Sequence, residues 1–146
     1  MSKNLTDTNS LISLSSTQLF EQVSEREIYA WARCHLQSLE LKHWLGEEEI
    51  PLPEFPGLYF IDCIVYDCEG KSQENLAYIG VANTSIRQRW KSHHQLPLFT
   101  RLQSMGVEVI IRSFPVLPGT IPTEMLQQWE RGLIEKLHPI FNDDLV

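Results

Sequence analysis

The sequence predicts an α+β domain in which a small three-stranded antiparallel sheet is flanked by helices and preceded by an N-terminal helical extension. Two hydrophobic periods support this prediction. Apolar residues recur every three or four positions from Ser16 to about Trp44, and again after Thr123, as in amphipathic helices. Residues 57–67 and 76–82 are instead rich in aromatic and β-branched side chains, as in strands. The element order is therefore helix, strand, strand, helix, strand, helix.

The composition is that of a single globular domain. The chain has 146 residues, of which 42% are hydrophobic and 21% are charged. No apolar run approaches the roughly 18 residues that a membrane helix needs, and the first residues lack the apolar core of a signal peptide. The three cysteines form no zinc-like cluster, and their odd number argues against a disulfide framework. We expect a reduced, cytoplasmic protein without a membrane partner.

The distribution of charge leaves room for an anionic ligand. The net charge is −7, yet residues 71–112 carry six Lys or Arg and two Glu, a local charge of +4. A basic segment inside an acidic chain is compatible with a phosphate-binding face, and equally with ordinary solvated charges.

The N-terminal third divides into two predicted parts. Residues 1–15 are rich in Ser, Thr and Asn and are expected to be a flexible tail. Residues 16–50 are expected to form a helical arm, in which Ser24 and Glu27 have the spacing of a capping box. The arm's tryptophans, Trp31 and Trp44, either pack in the core or form a homodimer interface.

The remaining elements follow in order. The polar segment 68–75 joins the first two strands as a hairpin, and the cap candidates Asn83, Thr84 and Ser85 open a helix over 85–94. Residues 107–117 predict the third strand, and the last helix begins near Thr123.

Glu130 stands out in the last helix. At about 100° per residue it lies about 40° from Leu126, inside the arc that Leu133 and Leu137 occupy. A buried carboxylate needs a partner, a proton or a metal ion, unless it reaches solvent at the edge of the stripe. On the preceding helix, Arg89 and His93 lie on the inward face, so a shared pocket and a structural Arg89–Glu130 ion pair are both open.

Two tyrosines join this set. Tyr59 lies near the start of the first strand and Tyr78 near the end of the second, so a hairpin brings both to the same end of the sheet. Each lies close to a glycine, which permits close backbone approach.

This ordered set resembles the GIY-YIG nuclease superfamily. The resemblance is carried by GLY at 57–59, YIG at 78–80, RWKSH at 89–93, WERGLI at 129–134 and PIFN at 139–142. It covers residues 56–144 and implies a three-stranded sheet flanked by helices. It also implies six catalytic residues: Tyr59, Tyr78, Arg89, His93, Glu130 and Asn142.

The resemblance implies specific roles for three of these positions. Arg89 would contact the scissile phosphate, Glu130 would hold one Mg²⁺ or Mn²⁺ ion, and Asn142 would close the site. There are two departures from the family pattern. Leu58 replaces the middle isoleucine, and 19 positions separate the two tyrosines, which we interpret as a longer hairpin loop.

The expected function is metal-dependent hydrolysis of DNA phosphodiester bonds, in DNA repair or restriction, leaving a 5′-phosphate and a 3′-hydroxyl. Duplex or branched DNA would be the partner, contacted by Arg87, Lys91, His94 and Arg101. The alternative is a non-catalytic nucleic-acid-binding or interaction module with the same fold, which the acidic net charge favours.

Overall fold

A computed structural model of the chain describes residues 23–43 and 50–142. The predicted tail at 1–15, the start of the arm, Trp44 and residues 143–146 lie outside this description. The described helices are α1 (Glu25–His35), α2 (Ile86–Lys91), α3 (Leu96–Ser104) and α4 (Thr123–Leu137). The described strands are β1 (Gln37–Glu40), β2 (Gly57–Tyr66), β3 (Ser72–Ala82) and β4 (Glu108–Pro115). No helix in these ranges is long and apolar enough to cross a membrane.

The α+β class is confirmed, but the sheet has four strands in the described residues rather than three. Its order is β1-β4-β2-β3, and every neighbouring pair is antiparallel. The central strand β2 is buried on both faces over most of its length. One face carries Tyr59 and Ile61, and the opposite face carries Leu58 and Phe60. Each face is covered by helices, which produces two hydrophobic cores.

The additional strand lies in the segment that we predicted to be helical. α1 begins as predicted, with the Ser24 hydroxyl accepting the backbone N–H of Glu27, but it ends at His35. Leu36 and Leu39 suggested a continuing helix because they are three residues apart. In the structure they lie in different cores on opposite faces of the sheet, which is the geometry of a strand. The prediction of a continuous helical arm over 16–50 was therefore wrong at residues 37–40, which form β1.

The hairpin of β2 and β3 is confirmed, although its loop is shorter than the sequence suggested. The strands continue to Tyr66 and from Ser72, so five residues connect them. The Asp67 carboxylate accepts the backbone N–H groups of Glu69 and Lys71 and organises this turn. The additional residues between the two tyrosines therefore lengthen the strands rather than the loop.

A β-bulge next to Tyr78 changes the register of the preceding part of β3. Ile61 pairs with Tyr78, but the next residue, Asp62, pairs with Leu76, so Ala77 is the extra residue. Without the bulge, Leu76 and Ile79 would lie on opposite faces; with it, both belong to the core below α1 and α4. Bulges often occur beside functional sites because they redirect side chains. Tyr78 precedes Gly80 by two residues in regular register, so it shares the face of Tyr59 by ordinary alternation, and the bulge instead places Leu76 on the opposite face.

The helix predicted over 85–94 is shorter than expected, and a second helix follows it. Ser85 is its N-cap and accepts the backbone N–H of Gln88, but α2 ends at Lys91. After a short turn, α3 follows over a segment for which the sequence analysis gave no element. Pro97 lies in the first turn of α3, where a missing N–H costs no helical hydrogen bond. His93 therefore lies in the turn between two helices, and not one helical turn after Arg89.

Candidate active site

Tyr59 is fully buried on β2, and its position depends on Gly80. The two residues are paired across β2 and β3. A Cβ atom placed on Gly80 would lie 2.3 Å from both Cζ and the hydroxyl oxygen of Tyr59. The tyrosine ring thus occupies the space that any other residue at position 80 would fill. This explains physically why a glycine is needed here.

Tyr78 lies beside Tyr59 as the hairpin argument predicted. The ring centroids are 6.2 Å apart, and the planes differ by 20°. Burial raises the pKa of both phenols. The neighbouring Tyr78 raises the pKa of Tyr59 further, and the Glu130 carboxylate does the same for Tyr78. Both side chains therefore carry their protons at neutral pH in the ligand-free protein.

Arg89 reaches this pair from α2. Its exposed side chain is in hydrogen-bonding contact with the hydroxyls of Tyr59 and Tyr78, and the contact with Tyr59 raises the pKa of the guanidinium. In the described residues no ion pair within 4.0 Å joins Arg89 to Glu130. The structural ion pair considered above is thus absent, and the guanidinium remains open to a ligand.

His93 lies behind Tyr59 and is almost fully buried. Its Nε2 atom lies 2.9 Å from the Tyr59 hydroxyl, and its Nδ1 atom accepts the backbone N–H of Gln95 at 3.0 Å. The ring stacks on Trp90 with a centroid distance of 4.3 Å. Burial, followed by the charges of His94 and Arg89, lowers the pKa of His93 to about 3. The imidazole is therefore neutral at physiological pH.

Glu130 faces the tyrosines from α4, and the prediction that it points inward agrees with its half-buried position. Its carboxylate accepts the backbone N–H of Val81 at the edge of β3. Burial raises the pKa of the carboxyl group, while this hydrogen bond and the nearby arginines oppose the rise. A carboxylate has about four acceptor positions, so the bond to Val81 leaves acceptor capacity for a cation.

The site contains an open cavity of about 460 Å³. Four of the six predicted residues line it: Tyr59, Tyr78, Arg89 and Glu130. Its polar rim also contains four residues that sequence reasoning missed as site residues: Asn83, Thr84, Ser85 and Gln88. The first three were considered only as helix caps, and their position between YIG and Arg89 was the signal available.

Asn142 occupies a different position from the one the family resemblance implied. Its side-chain oxygen accepts the backbone N–H of Ile79, and its Nδ2 group donates to the Ile79 carbonyl, both at 2.9 Å. Both ends of the amide are therefore engaged with the edge of β3. Asn142 does not line the cavity, and its contact with the site is indirect, through the strand that carries Tyr78 and Val81.

The four predicted nucleic-acid contacts fall into three groups. Lys91 and Arg101 line a second, wider cavity of about 760 Å³ with Ser92, Thr100 and Ser104, and His93 forms part of its wall. His94 is exposed and stacks on His93, at 4.8 Å between ring centroids. Arg87 instead donates to the Leu52 carbonyl and to Glu54, at 2.8 and 2.7 Å. Its prediction as a nucleic-acid contact conflicts with this structural engagement.

The arm residue Trp31 is 39% exposed and packs edge-on against Phe114, so only part of it is covered.

Among the described residues, no group of three or more His, Cys, Asp or Glu side chains converges as a metal centre. Comparisons with protein-family models, curated proteins and solved structures found no match to this chain.

Proposed function

We propose that this protein is a metal-dependent endonuclease of the GIY-YIG type that hydrolyses DNA phosphodiester bonds. One observation carries the proposal. A single open cavity is lined by two phenols, a guanidinium and a carboxylate, which come from β2, β3, α2 and α4. These groups are distant in the sequence, from Tyr59 to Glu130. This combination can support phosphodiester hydrolysis, which requires an oriented nucleophile and stabilisation of charge on phosphorus and on the leaving oxygen.

Arg89 is the residue that would bind the scissile phosphate. Its guanidinium presents several N–H donors in a planar fork that matches two phosphate oxygens. The contact with Tyr59 uses part of this donor set, and the exposed remainder borders the cavity. Arg89 would thus position the phosphate next to the Tyr59 hydroxyl and stabilise the charge that develops on it.

The Glu130 carboxylate fits a single hard divalent ion. Oxygen ligands suit Mg²⁺ and Mn²⁺, and Mg²⁺ is commonly held by one or two carboxylates plus substrate phosphate and water. Glu130 has free acceptor capacity toward the cavity and a pKa raised by burial, so a nearby cation would favour its ionised form. When bound, such an ion would neutralise phosphate charge and stabilise the leaving 3′ oxygen.

Tyr59 would orient the attacking water. Its raised pKa means that the hydroxyl keeps its proton in the empty cleft, so at neutral pH it acts first as a hydrogen-bonding group. Removal of the water's proton by Tyr59 requires the phenolate, and cleavage is therefore expected to increase with pH on the alkaline side. Tyr78, beside it, would hold the phosphate or the water in line.

The test of this proposal is the loss of metal-dependent cleavage on changing Glu130. Glu130→Gln keeps the size of the side chain but removes the charge, and we expect at least a ~100-fold loss of plasmid nicking with Mg²⁺ or Mn²⁺, as for removal of one strongly stabilising group. Glu124→Gln, on the same helix and outside the cavity, is the matched control. Undiminished metal-dependent cleavage by purified, folded Glu130→Gln would overturn the assignment.

A second candidate is a non-catalytic nucleic-acid-binding module of the same fold. One observation favours it: burial raises the pKa of both tyrosines, so neither phenol is ready to act as a base at neutral pH. The two functions differ in one measurement. A module would bind DNA without product formation across pH 6 to 10, whereas the endonuclease would convert bound DNA to product carrying a 5′-phosphate.

A further inference from the structure

We propose that His93 is a positioning residue whose Nε2–H group donates a hydrogen bond to the Tyr59 oxygen, and that the backbone N–H of Gln95 fixes the imidazole in this tautomer. The direction of this hydrogen bond determines what His93 can do to Tyr59. A histidine that accepts from a tyrosine can take its proton, whereas a histidine that donates to it stabilises the phenolate. For catalysis the consequence rests on the proposed function, but the tautomer itself does not.

The first step is the contact at Nδ1. The backbone N–H of Gln95 points at this nitrogen with a separation of 3.0 Å. A backbone amide can only donate, so Nδ1 must offer its lone pair and cannot carry a proton. The amide lies in the turn between α2 and α3, and the bond therefore depends on the backbone of that turn and not on the glutamine side chain.

The second step is the charge on the ring. His93 is 2% exposed, and its pKa is lowered to about 3. The side chains that oppose its protonation are His94 and Arg89, after burial itself. A neutral imidazole has one N–H group. Since Nδ1 is an acceptor, the hydrogen is on Nε2.

The Nε2 atom of His93 lies 2.9 Å from the hydroxyl oxygen of Tyr59. The tyrosine oxygen thus accepts from His93 and is also in contact with the Arg89 guanidinium. Two donors on one oxygen favour the phenolate and partly offset the effect of burial on the Tyr59 pKa. The hydroxyl hydrogen cannot be donated to Nε2, and so His93 is not the base that deprotonates Tyr59.

The position of the imidazole is restricted on both faces. Trp90 stacks on one side at 4.3 Å with planes 10° apart, and His94 stacks at 4.8 Å with planes 14° apart. Rotation of the ring by half a turn would place carbon atoms opposite the Gln95 amide and the Tyr59 oxygen. Both hydrogen bonds would then be lost. The flipped ring is therefore unfavourable, and the observed orientation is retained.

The tautomer can be measured directly by long-range ¹H–¹⁵N correlation NMR of the full-length protein, with His93→Gln identifying the resonances. We expect a pyridine-type shift for Nδ1 and a protonated shift for Nε2 at pH 7, unchanged down to pH 5. Gln95→Ala, which retains the backbone N–H, should give the same spectrum. A proton on Nδ1, or a doubly protonated ring at pH 7, would overturn the proposal.

The effect on Tyr59 has its own measurement, the pH titration of the ¹³Cζ resonance of the tyrosine. His93→Ala removes the donor and should move the Tyr59 titration to higher pH. His93→Gln supplies an amide N–H and should restore part of the shift, while His35→Gln, on the exposed part of α1, should leave the titration unchanged. A lower Tyr59 pKa in His93→Ala would contradict donation by Nε2.

Cleavage assays then link this bond to catalysis. His93→Ala should reduce kcat about 10-fold, the effect of one lost hydrogen bond of about 1.4 kcal/mol, with little change in KM and an alkaline limb displaced upward. Partial recovery of kcat in His93→Gln would support a donor role, and equal loss in both variants would overturn it. If the wild type does not cleave DNA, the proposed function fails while the NMR measurements still decide the tautomer.

Discussion

At the scale of single residues, the most constrained group of the site is the Tyr59 ring. Gly80 lies against its outer end, Tyr78 stacks beside it, and Trp90 meets it edge-on with 5.5 Å between centroids. The side chain is completely buried. The position of its hydroxyl is therefore set by packing, which would hold it within the small tolerance that the catalytic role we propose requires.

Gly80→Ala tests this constraint. The added methyl group would lie 2.3 Å from the Tyr59 hydroxyl, and the ring must move because no real Cβ contact is so short. We expect a loss of about 1–3 kcal/mol in the free energy of unfolding, as for other overpacked cores. We also expect at least a ~10-fold loss of cleavage, because the Tyr59 hydroxyl would move away from His93 and Arg89. Urea denaturation and plasmid nicking measure the two effects.

Gly106→Ala is the matched control for this variant. Gly106 has a φ of +95° and open space around it, so alanine would strain the backbone without touching the site. It should destabilise the protein by roughly 1 kcal/mol while leaving cleavage per folded molecule unchanged. Wild-type cleavage by Gly80→Ala would show that the position of Tyr59 is not important for activity.

At the scale of elements, the edge of β3 connects the site to the C-terminal segment. The Asn142 side chain is hydrogen-bonded to both the backbone N–H and the carbonyl of Ile79. In addition, Phe141 donates its backbone N–H to the Ala77 carbonyl. The same edge offers the Val81 N–H to Glu130. Unpaired edge groups otherwise need water or a partner. The segment after α4 thus completes the edge of the strand that carries Tyr78.

Asn142→Ala distinguishes this structural role from the catalytic role that the sequence resemblance implied. Losing both bonds to Ile79 should lower the free energy of unfolding by about 2–3 kcal/mol, since each net hydrogen bond contributes about 1 kcal/mol and buried groups remain unpaired. Urea denaturation measures this change. Asn83→Ala, at the exposed rim of the cavity, should leave stability unchanged. Full stability of Asn142→Ala with abolished cleavage would favour direct contact with the substrate.

The elements that sequence analysis predicted well are those with a long, uniform hydrophobic pattern. β2, β4 and α4 satisfy this condition and were found close to their predicted ranges, whereas β3 begins four residues earlier than predicted, in the polar segment before Leu76. β1 has only four residues, and the spacing of Leu36 and Leu39 suited a helix as well as a strand. The break between α2 and α3 arises where His93 turns inward to Tyr59, a tertiary contact that local periodicity does not encode.

The site itself was also predicted in part. Residue types and chain order brought together Tyr59, Tyr78, Arg89 and Glu130, because a hairpin and two amphipathic helices leave few alternatives for their placement. The bulge at Ala77, the rim residues and the tautomer of His93 could not be predicted, since each depends on strand register or on a backbone amide rather than on residue type.

At the scale of the whole molecule, the net charge of −7 contrasts with the local charge of +4 over residues 71–112. Two cations of that segment are internally paired: Arg112 with Asp62 at 2.7 Å and Arg87 with Glu54. Lys91 and Arg101 instead face the second cavity, whose lining contains no carboxylate among the described residues. The long-range field of the net charge opposes DNA binding, so the binding that we propose would depend on short-range contacts at this cavity.

The salt dependence of DNA binding tests this local model. With Glu130→Gln to prevent cleavage, the slope of log K against log salt reports the number of phosphate contacts, about 0.9 for each contact to duplex DNA. The further substitutions Lys91→Ala and Arg101→Ala should together reduce the slope by about 2. Lys71→Ala, on the loop of the hairpin away from both cavities, removes one charge without removing a contact and should preserve the slope. An equal reduction in Lys71→Ala would indicate a diffuse electrostatic effect, and an unchanged slope in the double substitution would place the DNA elsewhere on the surface.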